Sequence, residues 1–157
     1  MPPVTATTQI RAGRADELNA IFMMGFDTWH GGMSEREYLD TCLASPKYPQ
    51  GDWLVLARGG VLVSSLIVYR QGLGLPAGCW GIGSVATPPE QRRQGYAAML
   101  VQQVIAEAKR DNIRGLYLFS GIDPGYSRSL ALSRSPRPIR VRMRCAWHCA
   151  AGIAKSW

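Results

Sequence analysis

The 157-residue sequence predicts a mixed α/β (α+β) domain with a mainly antiparallel central sheet flanked by helices. Three observations carry that class. Two β-rich runs, Trp53 to Ala57 and Val61 to Tyr69, flank Gly59-Gly60, a glycine pair suited to a tight hairpin turn. Residues Ala97 to Arg110 repeat apolar side chains at helical spacing. Strand-like runs, Cys79 to Ala86 and Leu116 to Ser120, stand on either side of that helix. The length fits one domain able to bury a core.

In chain order, Gln9-Ile10-Arg11 forms a short first strand. Arg14 to Gly25 reads as a helix, with Asp16 and Glu17 in its first turn, where the helix dipole favours negative charge. Leu18, Ile21, Phe22 and Gly25 fall at i, i+3, i+4 and i+7 and make one buried stripe. Ser34 and Glu37 then form a capping box, with Met33 and Tyr38 placed as its hydrophobic staple. Tyr38, Leu39, Cys42 and Leu43 supply the apolar face of this second helix, and Ser45-Pro46 and Pro49-Gln50-Gly51 end it. After the hairpin, a loop with Gly72, Gly74, Pro76 and Gly78 leads to the third long strand. Its Gly81 and Gly83 suggest a bulge or the close approach of another backbone. Leu100, Val101, Val104, Ile105 and Ala108 line one face of the long helix.

With 46% hydrophobic and 18% charged residues, the composition is that of an ordinary globular protein. The first residues show no basic segment followed by an apolar run, and no apolar stretch approaches the ~20 residues that span a bilayer. The four cysteines, Cys42, Cys79, Cys145 and Cys149, lack disulfide-framework spacing. Reduced thiols in a cytoplasm are the expectation. Charge is unevenly distributed. Residues 1–126 balance 11 basic against 11 acidic side chains, whereas residues 127–157 carry 7 basic and no acidic ones, the whole net charge of +7.

The segment that carries chemistry is a strand, a short loop and a helix start. Ile82-Gly83-Ser84-Val85-Ala86 is followed by Thr87 to Gln94 and by Gly95-Tyr96-Ala97 opening the helix. Within it, Arg92-Arg93-Gln94-Gly95-Tyr96-Ala97 fits the pattern R/Q-x-x-G-x-G/A. The first turn of a helix leaves backbone N–H groups without partners, and its dipole attracts anions. Gly95 and the small Ala97 let a pyrophosphate approach those amides, while Arg92 and Arg93 add positive charge. The alternative is a loop that uses Gly95 only as a turn residue. The ordered context of strand, Pro-Pro-Glu turn, amphipathic helix and strand weighs against it. No Gly-Lys-Ser/Thr follows, so this is not a Walker A loop, and G-x-G-x-x-G spacing is absent.

The run from Ile82 to Ala97 resembles the central motif of GNAT-superfamily N-acetyltransferases, and the element order over residues 9–120 is similar to that superfamily's. The resemblance implies acetyl-CoA, or another acyl-CoA, as co-substrate. It implies that the backbone of Val85, Ala86 and Thr87 pairs with the pantetheine arm. It also implies that the amides of Arg92, Arg93, Gln94, Gly95, Tyr96 and Ala97 hold the pyrophosphate. Arg93 stands where the family often has glycine. The implied chemistry is direct attack of an amine on the thioester, with an oxyanion stabilised by a backbone N–H and a protonated leaving thiolate. Trp29 and His30, between the first two helices, are acceptor-site candidates. Glu90 lies near the motif and reads best as a solvated turn residue.

After Ser120 the resemblance breaks. The family has a short helix carrying a tyrosine general acid, then Gly-Phe and two closing strands, so closing strands here are expected to be atypical or missing. Gly121 to Tyr126 begins correctly, but by register Ser127 stands at the tyrosine position, leaving Tyr126 as the catalytic candidate. The motif break coincides with the charge break, which suggests a shifted reading frame. With suitable codons for all of Tyr126 to Ser133, inserting one base into that of Ser127 gives Tyr-Ala-Lys-Leu-Gly-Phe-Glu after Tyr126. The alternative is a genuine Arg-rich tail, in which Ile139 to Cys145 alternates strictly and could pair as a strand. Cys145, His148 and Cys149 lack a fourth ligand at zinc spacing, and no metal is expected.

These readings predict an acyl-CoA N-acyltransferase domain over residues 1–126 and an atypical segment over 127–157. The expected activity is transfer of an acetyl group to a primary amine of a small molecule or amino acid. Two alternatives stay open: a CoA-binding but catalytically impaired relative, and a nucleic-acid-associated protein acting through its basic tail. The expected partner is a small-molecule amine; a membrane and nucleic acid are not expected. An uncovered sheet edge could also support a homodimer.

Overall fold

A glycine-paired hairpin and one long amphipathic helix organise the chain. The computed structural model describes residues 6–119 and 140–144. Six strands form one sheet in the order β1 (Thr8–Ala12), β2 (Asp52–Arg58), β3 (Val61–Tyr69), β4 (Cys79–Ala86), β5 (Gly115–Phe119) and β6 (Arg140–Arg144). The pairings from β1 to β4 are antiparallel, and those of β4 with β5 and β5 with β6 are parallel. The mixed, mainly antiparallel sheet expected from the sequence is therefore present. Its C-terminal closure is atypical, with β6 parallel to β5.

The β2–β3 hairpin closes through Gly59 and Gly60 at φ +58° and +83°. Both angles lie in the left-handed region that glycine enters without a Cβ penalty. Strand β3 is buried from Val63 to Tyr69, because helices cover both sheet faces. Leu66 and Val68 join one apolar cluster with Leu56, Trp80, Ile82 and the inner face of α4 (Tyr96–Arg110). Ile67 and Tyr69 join a second with Val55, Ile21, Phe22, Tyr38 and Cys42, under α1 (Leu18–Met23) and α3 (Glu35–Leu43). This is the period-two alternation of a strand covered on both sides.

The capping box at α3 forms as the sequence predicts. Ser34 Oγ accepts from the Glu37 N–H at 3.3 Å, and Glu37 Oε2 accepts from the Ser34 N–H at 2.8 Å. The single helix expected over Arg14 to Gly25 is instead a 3-10 turn (Ala15–Glu17), α1, and a separate short α2 (Phe26–Trp29). A Cβ at Gly25 would lie 2.1 Å from the Trp29 ring. The indole fills the space a side chain would take, and the chain breaks at that glycine.

At the entrance to this segment, Glu17 accepts two hydrogen bonds from the Arg11 guanidinium, at 2.6 and 2.9 Å, and one from the Arg14 N–H at 2.9 Å. Chiefly through Arg11, then the Arg14 amide, its carboxyl is held down to about 2 from an ordinary 4.5. A group whose folded pKa is depressed contributes stability above its unfolded pKa and loses it as pH falls. In urea unfolding, the advantage of the wild type over Glu17→Gln is expected to be full at neutral pH. It should shrink as pH falls from about 4.5 through about 2.

Helix α4 buries Tyr96, Leu100, Val101, Val104 and Ala108 against the sheet, and Leu100 is 0% exposed. Leu100→Ala is expected to cost about 3 kcal/mol in urea unfolding, within the range for cavity-forming core truncations. Met99→Ala, one residue earlier but 43% exposed, should stay within about 0.5 kcal/mol of the wild type.

Candidate functional site

Strand β4 changes partners near its end. It pairs with β5 from Cys79 to Gly83, and with β3 through Gly83 and again at Ala86. Between these, Ser84 and Val85 on β4 stand against Leu66 on β3, a β-bulge in which Ser84 takes φ +47°. The bulge that Gly81 and Gly83 suggested thus falls just after Gly83. Ser84 and Val85 have no register partner in either neighbouring strand among the described residues.

Fully buried Ser64, on β3, holds the end of β4. Its hydroxyl donates to the Ala86 carbonyl at 3.0 Å and lies 2.9 Å from Thr87 Oγ1. Because the Ser64 proton goes to the carbonyl, Thr87 is the donor of the second bond. The Thr87 carbonyl accepts from Arg92 Nε at 2.9 Å. Of the three residues expected to meet a pantetheine arm, Ala86 and Thr87 therefore have their carbonyls occupied. Val85, in the bulge, is the one whose backbone lacks a register partner.

The loop beyond β4 carries a 3-10 turn (Pro89–Gln91) and enters α4 through Gly95, the N-cap, at φ +80°. Met99 is the first helical residue whose N–H bonds back, to the Gly95 carbonyl at 3.0 Å. Among the described residues, the N–H groups from Arg93 to Ala98 meet no protein acceptor. A Cβ on Gly95 would find nothing within 4 Å. A row of donors beside open space, at the positive end of a 15-residue helix, fits an anion as large as a pyrophosphate.

The two arginines of the motif differ. Arg92 places one guanidinium nitrogen 2.8 Å from each carboxylate oxygen of Asp27. Its positive charge, expected from the sequence, is thus partly compensated, and it fastens the loop to α2. Arg93 is exposed, has no polar side-chain partner among the described residues, and takes φ +60°. That left-handed backbone explains why glycine suits this position. Sequence reading missed a third arginine. Arg58, at the end of β2, donates to the Tyr96 hydroxyl at 2.8 Å, and that hydroxyl donates to Gln94 Oε1 at 3.0 Å.

The acceptor-side candidates lie on and after α2. Trp29 packs over Gly25, and the Phe26 ring lies 4.9 Å from that of His30. His30 Nδ1 accepts from the Gly32 N–H at 3.0 Å, so a neutral ring carries its proton on Nε2 as a donor. That tautomer suits orienting an acceptor better than taking its proton. Glu90 is exposed on the 3-10 turn, as a solvated residue should be. Tyr126 and Ser127 lie outside the described residues. Among those described, no cluster of three or more His, Cys, Asp or Glu side chains could hold a metal. No helix there is long and apolar enough to cross a membrane.

Comparison with known proteins gives this arrangement a family. No curated protein matches the sequence significantly. The sheet and helices superpose on a GNAT acetyltransferase from Brucella melitensis in complex with acetyl-CoA, with TM-score 0.59 and 19% identity over 79% of this chain and 81% of that one. The aminoglycoside N-acetyltransferase AAC(6')-Iy in complex with CoA gives TM-score 0.60 and 16% identity over 92% of this chain and 100% of that one. The ribosomal-protein-S18-alanine N-acetyltransferase from Escherichia coli gives 0.57 and 16% over 79% and 74%. At these identities the likeness shows a shared fold. The acetyltransferase (GNAT) family description itself matches residues 16–132, most of the sequence, and the chain belongs to that family.

Proposed function

We propose that this protein transfers an acetyl group from acetyl-CoA to the primary amine of a small molecule or amino acid. The observation that carries the reading is the row of unpartnered amides from Arg93 to Ala98 beside the open space at Gly95. Bound acetyl-CoA supplies an acetyl thioester. The amides of α4 hold its pyrophosphate, and Arg93 adds the uncompensated charge. The Val85 backbone, out of register with both neighbouring strands, receives the pantetheine arm and orients the thioester carbonyl. The acceptor amine enters on the side of Trp29 and His30, where Nε2–H can fix a polar group. Its nitrogen bonds to the acetyl carbon to give a tetrahedral oxyanion and loses a proton to water or a base; the carbon–sulfur bond then breaks and the leaving sulfur takes a proton.

A second reading is favoured by one observation: Ser127 stands in register where the family's tyrosine general acid is expected. Tyr126, its neighbour, is then the proposed proton donor. If it does not serve, the protein binds CoA and turns over slowly. Residues 1–126 are proposed as the acyl-CoA domain, working in a cytoplasm, and 127–157 as an atypical Arg-rich segment with a shifted reading frame. Sequencing the source gene tests the last point; an unbroken frame through residue 157 would refute it.

The cofactor reading is tested by thermal unfolding with and without acetyl-CoA. At 100 times Kd the ligand should add about 2.7 kcal/mol and raise the melting temperature by several degrees. Gly95→Glu places a carboxylate in the anion site on a backbone at φ +80°, and should abolish the rise. No rise in the folded wild type would overturn the reading. Thiol release from acetyl-CoA with a panel of small amines then separates an active enzyme from an impaired one.

A further inference from the structure

The bonds joining Arg58, Tyr96 and Gln94 have a fixed direction. Arginine only donates, so the Tyr96 oxygen accepts from Arg58 at 2.8 Å. The phenol has one proton, and it goes to Gln94 Oε1 at 3.0 Å. The two ends of an amide are nearly alike in shape, and the hydrogen-bond network decides which end is which. With its oxygen committed to Tyr96, Gln94 keeps its –NH2 group free, and no protein acceptor meets Nε2 among the described residues. Gln94 directly precedes the N-cap Gly95, beside the unpartnered amides of α4. Tyr96 is only 6% exposed, so the middle of the relay is anchored in the core.

We propose that Gln94 Nε2 is a side-chain donor to the pyrophosphate of CoA, and that Arg58 is a positioning residue that sets its direction through Tyr96. The inference rests on the reading of the α4 N-terminus as the CoA site. Without Arg58, Tyr96 could accept from Nε2 instead. The amide would then turn its oxygen toward the anion, replacing attraction with repulsion. Arg58 thus acts on a phosphate without touching it.

The test is a double-mutant cycle read by calorimetric titration of the full chain with CoA, with the melting temperature of the free protein followed in parallel. Gln94→Met removes the donor without adding charge and should raise Kd about ten- to a hundredfold, the loss of one charge-assisted hydrogen bond. Because Gln94 is exposed, the melting temperature should not move. Tyr96→Phe and Arg58→Met should each weaken CoA binding about two- to fivefold in the wild-type background. Neither should weaken it further once Gln94 is Met, because the relay then has nothing to orient. Wild-type affinity in Gln94→Met would overturn the proposal. So would an equal effect of Tyr96→Phe in both backgrounds, which is the signature of a purely structural role. A wild type that binds no CoA would overturn the cofactor reading along with it, whereas the other two results leave that reading standing.

Discussion

The site depends on β4 being held from one side at its end. Up to Gly83 the strand is an interior member of the sheet, paired with β3 and β5. At Ser84 and Val85 it leaves both registers, and Ser64 then fixes Ala86 and Thr87 from β3. Among the described residues, the end of β4 past Gly83 has β3 on one side and no register partner on the other. The same anchoring sets where the following loop starts, and so where the first turn of α4 can point. The packing of α4 over β2, β3 and β4 then holds that turn in place.

The second determinant is a pair of long-range ties on the motif loop. Arg92 joins it to Asp27 on α2, and Arg58 joins it to β2 through Tyr96. The Arg92–Asp27 pair is half-exposed, so its worth to stability is small, about 0–1 kcal/mol. Its effect is geometric: it links the cofactor loop with the helix carrying Trp29, at the edge of the acceptor side.

Much of the fold was legible because its signals are local. The capping box at Ser34, the glycine pair at the hairpin and the apolar stripe of α4 each act within a few residues. The structure reproduces β3 and β4 with the expected bounds and α4 to within one residue. Gly25 misled because a glycine on an apolar stripe looks like a close helix contact, whereas here Trp29 occupies its space. At the site, the backbone amides could be read from the motif. The side-chain arrangement could not, since Arg92 meets a residue 65 positions away and Arg58 one 38 away. Nothing in the sequence near Arg58 marks it. The direction of the Gln94 amide is likewise a property of the assembled network.

The contact between Gly25 and Trp29 also constrains how this protein can diversify. A side chain at residue 25 has no room while the indole is present, and a smaller residue at 29 would leave the glycine facing an empty space. Neither position can drift far by itself, so viable changes should arrive as compensated pairs. Homologues that differ at one of these positions should therefore tend to differ at the other. A change of acceptor preference at this edge would pass through a two-residue step, which is slower to evolve than a series of independent loop substitutions.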